Sequence, residues 1–232
     1  MKKPQHKRFP FCLCTFTFLV VALFYSGCGV VGIVGTPRAH EEKVVAEYDL
    51  AEHKDQKILV LVNQPVWLNA QVNLRYYLTK AINKNLTAKV KIPPEYLVSY
   101  GELSEFRSNK SDFLLLSPVK VGEVLDANMV LLVEIGSYEL NRIAETGYYE
   151  GFLSIQSVFF DVATGKKIWP ESAKSKSIKV GFEVESHGQE IAVRRLVAAS
   201  TYCLVRYFYD CPKNEFKIAD DRSGIGWENW VK

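Results

Sequence analysis

The sequence predicts a single α/β domain with a mixed β-sheet covered by helices, following an N-terminal signal or anchor segment. Two long, largely apolar segments, Asn128–Leu140 and Tyr148–Val162, are separated by a polar break that ends in Gly147, as expected for paired strands. Ser186–Tyr209 carries apolar side chains at helical spacing. A chain of 232 residues, 48% of them hydrophobic, is long enough for one globular domain plus an extension.

The chain begins with a membrane-directed segment. A basic stretch, Met1–Arg8, precedes an uncharged apolar run, Phe9–Tyr25, and then Ser26-Gly27-Cys28. This layout is typical of a secretory signal, and the small pair before the cysteine resembles a bacterial lipobox. That resemblance implies a signal peptide over residues 1–27 and lipid attachment at Cys28. Because apolar character continues to Val34, an uncut membrane-spanning anchor remains an alternative, as does ordinary secretion.

The first half of the domain is expected to alternate strands and helices. Residues 28–56 mix Pro37 with many charges and little periodicity, and are interpreted as a lipidated N-terminus and solvated spacer. The order β-α-β-α-(β)-α then predicts parallel pairing. Its elements are a buried strand at Lys57–Asn63, a helix from Leu68 to Leu86, a strand at Ala88–Ile92, a helix opened by Pro93-Pro94 that fades by Ser108, a strand at Asp112–Leu116, and a short helix begun by Ser117-Pro118.

The second half is expected to be a three-strand antiparallel meander followed by the longest helix. Ile178, Val180, Phe182 and Val184 alternate with polar residues, so one face of the third strand should be buried. The helix should bury its Leu/Val stripe and leave Arg194, Arg195 and Arg206 in water. These elements place the globular domain at 57–209. The polar tail, 210–232, carries Trp227 and Trp230, either as a clamp onto the domain or as an exposed partner patch.

Composition argues against several classes of function. Without the four basic residues of the N-terminal stretch, 25 basic residues remain against 26 acidic, which does not suit nucleic-acid binding. Cys203 and Cys211 lie in the domain without a Cys/His cluster, so neither a metal site nor a cofactor is predicted. They are interpreted as one buried thiol and one loop thiol. His187 has no placed nucleophile beside it, and the sequence therefore predicts a protein without catalytic residues.

Three short motifs resemble a group of bacterial envelope lipoproteins. They are Leu125-Asp126-Ala127-Asn128 before a strand, Gly147-Tyr148-Tyr149-Glu150-Gly151 in a hairpin, and Asp161-x-x-Thr164-Gly165-x-x-Ile168-Trp169. The sequence is similar in these motifs to curli-secretion-channel and penicillin-binding-protein-activator lipoproteins and to the N-terminal domain of TolB. Asn128 stands where that group usually has Asp. The Asp-x-x-Thr-Gly motif has a structural cause, since Asp and Thr cap a turn and Gly takes its left-handed position.

The resemblance implies a non-catalytic, lipid-tethered module in the cell envelope, on the periplasmic face of the outer membrane. It would act by binding other envelope proteins and by assembling with its own copies. Candidate partner contacts are Tyr148, Tyr149, Trp227 and Trp230. Two alternatives stay open: a domain held by an uncut helix, and an anchored enzyme or small-molecule binder with polar groups converging around Tyr148–Glu150.

Overall fold

A computed structural model describes residues 42–143, 147–185 and 188–218. The folded unit begins at Lys43. Cys28, Trp227 and Trp230 lie outside the described residues, and lipid attachment at Cys28 therefore stays a prediction. In the described ranges, no helix has the length and apolar character needed to cross a bilayer.

A five-stranded mixed sheet forms the centre of the fold. Its strands are β2 (Ile58–Asn63), β3 (Met129–Ile143), β4 (Tyr148–Asp161), β5 (Lys167–Trp169) and β6 (Lys176–Glu185). β2 pairs with β3 in parallel, β3 pairs with β4 antiparallel, and β5 and β6 both pair antiparallel with β4. The predicted α/β class with its antiparallel meander is confirmed. A two-stranded sheet joins the ends of the unit, β1 (Lys43–Val44) and β7 (Cys211–Pro212).

Five helices accompany the sheet in the described residues: α1 (Leu74–Asn85), α2 (Tyr100–Asn109), α3 (Pro118–Val124), α4 (Gln189–Val205) and α5 (Lys213–Ile218). The predicted N-cap of α3 is confirmed, because Ser117 Oγ accepts a hydrogen bond from the Lys120 amide at 3.2 Å. The helices divide the core in two. One apolar cluster includes Leu78 on α1, Leu131 on β3 and Leu196 on α4, and the other includes Leu103 on α2 and Val121 on α3.

The strand predicted at Ala88–Ile92 is wrong. The chain continues from α1 through one wider helical turn, Leu86–Val90, which ends where Lys91 takes a left-handed conformation with φ 69°. Val90 and Ile92 are nevertheless buried. Ala88, Val90 and Ile92 alternate with lysines as in a strand, but five residues are too few for this alternation to exclude a helical turn.

Two further predictions between β2 and α3 need correction. Pro93-Pro94 starts only a short 3₁₀ turn, Pro94–Tyr96, and α2 begins later with Ser99 as its N-cap. Asp112–Leu116 is not a strand, because Phe113–Leu115 forms a 3₁₀ turn that buries Phe113 alone. β2–β3 is therefore the one parallel pair of strands among the described residues, with an isolated parallel bridge from Ile58 to Leu97 beside it.

The folded unit extends beyond the predicted boundaries of 57 and 209. Leu50, in the predicted spacer, is fully buried, and β7 and α5 lie in the predicted tail. Glu47 fixes the first of these segments: its carboxylate accepts hydrogen bonds from Trp169 Nε1, at 3.1 Å, and from Lys176 Nζ. The apolar side chains of this segment are scattered among charges without a period, which made it resemble a linker.

The apolar stripe of α4 is confirmed, whereas Arg206 does not stay in water. Arg206 is buried, donates a 2.6 Å hydrogen bond to the carbonyl of Phe216, and lies over the Phe216 ring. Phe216 belongs to α5, so this arginine joins the end of the long helix to the C-terminal segment. No disulfide joins Cys203 to Cys211, and both are buried, although one of the two was expected in a loop.

Candidate partner-binding surface

The sheet has an outer half that extends beyond β2. β2 pairs only with Met129–Glu134 of β3. From Ile135 to Ile143, β3 is paired only with β4, and β4 carries β6 on its other side as far as Glu185. The outer half is therefore a three-stranded antiparallel sheet.

A β-bulge in β3 keeps the apolar residues of the outer half on one face. The register shifts between Ile135 and Ser137, so Gly136 is an extra residue in β3. Both Ile135 and Tyr138 are consequently buried in the same core, although they are three residues apart. The phenol of Tyr138 has a pKa above its ordinary value because it is buried.

Helix α4 covers this apolar face. Leu153, Ile155, Ile178 and Val180 are buried in the same core cluster as Leu196 of α4. Gly151 lies under the helix, since a Cβ at this position would be 3.5 Å from Leu196 Cδ2 and 3.2 Å from Leu140 Cδ1. The outer half of the sheet is thus anchored through one face.

The opposite face of the outer half stays accessible, and we call it the open face. Cross-strand register arranges its side chains in rows, for example Glu139, Phe152 and Gly181. All described side chains on it are exposed or half-buried: Ser137, Glu139, Asn141, Ile143, Tyr148, Glu150, Phe152, Ser154, Lys179, Gly181 and Glu183. Within the described chain, therefore, no helix shields this face from water.

The open face is acidic around a small apolar centre. Its charged side chains in the described residues are Glu139, Glu150, Glu183 and Lys179. Glu150 and Glu183 are direct cross-strand neighbours, an arrangement in which like charges destabilise a sheet. Phe152 lies against Gly181, where a Cβ would be 3.4 Å from its ring. The face can offer carboxylates and an aromatic ring to a partner.

The two tyrosines predicted as partner contacts lie on opposite faces. Tyr148 is 43% exposed and lies on the open face, opposite Ile143. Tyr149 is half-buried on the face that α4 covers. Tyr148 and Glu150 therefore share one face without Tyr149, and the three residues do not converge on a common pocket. In the ranges that the structure describes, no group of three His, Cys, Asp or Glu residues is placed to hold a metal ion.

Some features of this surface were not predicted, although the wet side of β6, which includes Glu183, was. The accessible position of Phe152 beside Glu150 could have been found from the alternation of β4, because every second residue of a strand shares a face. A second exposed group lies in turns rather than strands: Val66, Trp67, Leu114 and Leu115. Leu114 and Leu115 belong to the segment Asp112–Leu116 that was predicted as a strand, and their exposure was therefore not considered.

Comparisons with known proteins find likeness in structure alone. No protein-family model matches the chain, and no curated protein matches it. Lipoprotein GNA1162 from Neisseria meningitidis is similar over 62% of this chain and 94% of its own, with 17% identity and a TM-score of 0.38. The hypothetical protein CT253 from Chlamydia trachomatis matches over 76% of this chain and 91% of its own, with 15% identity and a TM-score of 0.34.

The C-terminal domain of LpoB from Salmonella enterica is similar over 59% of this chain and 84% of its own, with 19% identity and a TM-score of 0.31. Bacterial lipoproteins are thus among the solved structures that match the chain, as the sequence motifs led us to expect. At these identities and TM-scores, the likenesses carry no assignment of family, partner or activity.

Proposed function

We propose that the chain is a lipoprotein of the bacterial cell envelope, acylated at Cys28, whose folded unit binds other envelope proteins through the open face. The observation that carries this proposal is the open face itself. A three-stranded sheet held by α4 on one side leaves Tyr148 and Phe152 accessible on the other.

The charge of the open face supports a basic partner surface. Glu150 and Glu183 repel each other as cross-strand neighbours, and this repulsion does nothing for folding. Lysine or arginine side chains of a partner would relieve it and would also steer association. The aromatic side chains of Phe152 and Tyr148 would supply contact area in the middle of such an interface.

The membrane anchor is supported by the sequence. A basic stretch, an apolar run and Ser26-Gly27-Cys28 follow one another at the start of the chain. Acyl chains contribute roughly 0.8 kcal/mol per buried CH₂, so several chains on one cysteine would hold the protein at a membrane.

Site-specific photo-cross-linking tests the partner surface. A photoreactive phenylalanine at position 148 should form adducts with envelope proteins in intact cells, and the same residue at 149 should not, because the two positions face opposite sides. Charge reversal by Glu150→Lys with Glu183→Lys should abolish the adducts from position 148. Equal adducts from 148 and 149, or adducts that survive the charge reversal, would refute binding through the open face.

Intact mass tests the anchor separately. The chain extracted from membranes should have the mass of residues 28–232 plus acyl groups, and Cys28→Ser should leave the full-length precursor. A wild-type chain with the mass of all 232 residues would refute acylation and favour an uncut anchor.

A further inference from the structure

Two turns of the folded unit each carry a pair of exposed large apolar side chains. Leu114 is 87% exposed, Leu115 86% and Val66 79%, and Trp67 is 57% exposed. We call these four residues the turn patch. Val66 and Trp67 lie in the 3₁₀ turn after β2, and Leu114 and Leu115 lie in the turn between α2 and α3.

One arginine lies beside each turn. Arg75 Nη2 donates a 2.8 Å hydrogen bond to Asn69, two residues after Trp67. Arg107 lies over the ring of Phe113, with its guanidinium carbon 4.7 Å from the ring centre, directly before Leu114. The pKa of Arg107 is below its ordinary value because of burial first and then the positive charge of Arg75. Independently of charge, Phe113 shares a core cluster with Leu61 of β2, the strand that leads into the turn of Val66 and Trp67.

This basic pair lacks a neutralising partner in the described parts of the chain. Neither Arg75 nor Arg107 forms an ion pair with a described carboxylate, and Arg107 Nε is buried without a hydrogen-bond acceptor. Two unneutralised guanidinium groups favour an anionic ligand, and guanidinium geometry suits phosphate oxygens.

We propose that the turn patch docks on an anionic lipid surface, with Arg75 and Arg107 binding phosphate headgroups beside it. This inference rests on the membrane anchoring proposed above, which would hold the folded unit near a bilayer. Exposed apolar side chains beside two guanidinium groups match the acyl chains and phosphates of an anionic bilayer surface. They suffice as a second, weak membrane signal once a first one tethers the chain.

Quenching of tryptophan fluorescence by brominated lipids tests this contact in the full-length chain. The Trp67 contribution is obtained by subtracting the emission of Trp67→Phe from that of the wild type, which removes the signal of the other tryptophans. In vesicles of brominated phosphatidylglycerol and phosphatidylcholine, the Trp67 contribution should be lost, and in brominated phosphatidylcholine alone it should be retained.

Matched variants separate the roles of charge and apolar contact. Arg75→Gln with Arg107→Gln should restore the Trp67 emission, whereas Lys80→Gln with Lys166→Gln, which removes the same charge from exposed sites elsewhere, should not. Leu114→Ser with Leu115→Ser should also restore emission without lowering the unfolding temperature, because both side chains are exposed.

Three results would overturn the proposal. One is an unquenched Trp67 in the anionic vesicles. Another is equal quenching in both lipid mixtures, which would remove the role of the arginines. The third is a Trp67 emission that changes with protein concentration in detergent alone, which would show that a second copy covers the patch. Flotation with the vesicles reports anchoring independently, since an anchored chain floats whether or not Trp67 is quenched.

Discussion

Gly122 lies where α3 packs closely on the sheet. Its replacement by alanine tests whether there is room for one more carbon between the helix and the strands. A Cβ at position 122 would lie 2.6 Å from Val130 Cγ2 and 2.8 Å from Val162 Cγ2. Val130 is fully buried in β3, and Val162 follows the end of β4. Neither contact can be relieved by swinging the end of a long, flexible side chain away, so α3 or the strands must shift.

The expected cost follows from two opposing effects. Alanine favours a helix over glycine by about 1 kcal/mol, whereas forcing an extra carbon into a packed core costs about 1–3 kcal/mol. Gly101 in α2 provides the matched control, because it is exposed and its nearest neighbour would be Ser99 Oγ at 3.7 Å. Both variants replace a glycine within a helix, so the difference between them mainly reports the packing cost.

Thermal unfolding of the two alanine variants provides the measurement. Gly101→Ala should match or exceed the wild type, and Gly122→Ala should unfold at a lower temperature than Gly101→Ala. For a chain of this size, the separation should be about 2–4 °C per kcal/mol. If both variants gained the same stability, the helix would not be in contact with the sheet at Gly122 as the structure shows.

Three further predictions concern the turn after β4, the residue that precedes β3, and the dependence of stability on pH. Gly165→Val should cost at least about 1 kcal/mol, because Gly165 has φ 66°; Gly165→Asn is the control, and equal unfolding temperatures for the two would contradict the reasoning. Asn128→Ala should cost about 1 kcal/mol by losing the 2.7 Å hydrogen bond from the Lys57 amide, whereas Asn128→Asp should retain most of the stability in the same denaturant titration. Burial first, then the charge of Cys211, raises the pKa of Tyr202. The stability from its neutral form should be present below about pH 10 and be lost as the pH rises further, and Tyr202→Phe should weaken that dependence in melts between pH 8 and 11.

The long elements and one turn could be predicted because their signals are local. Asp161 Oδ1 accepts hydrogen bonds from the Thr164 amide at 2.7 Å and from the Thr164 hydroxyl at 2.5 Å, while Gly165 takes the left-handed position. That turn is determined by five consecutive residues. The short segments were assigned wrongly for the opposite reason, because tertiary contacts decide whether a few apolar residues form a strand or a turn.

The open face could be predicted only in part. The alternation of Ile178 and Val180 with Lys179 and Gly181 indicated one wet face on β6, and that prediction is confirmed. How far the wet face extends across the sheet depends on where β2 ends and on which strands α4 covers. Both are consequences of packing. The sequence therefore predicted Tyr148 and Tyr149 alike as partner contacts, whereas in the structure they lie on opposite faces of the sheet.

The division of the sheet into two halves separates stability from binding. In the inner half, Val130 and Leu131 are buried on opposite faces, and substitutions there would unfold the chain. In the outer half, the side chains of the open face meet water, where most substitutions change stability by no more than about 0.5 kcal/mol. Glu150→Lys with Glu183→Lys should therefore leave the unfolding temperature nearly unchanged. Loss of partner adducts by this variant would then report the interface rather than the fold.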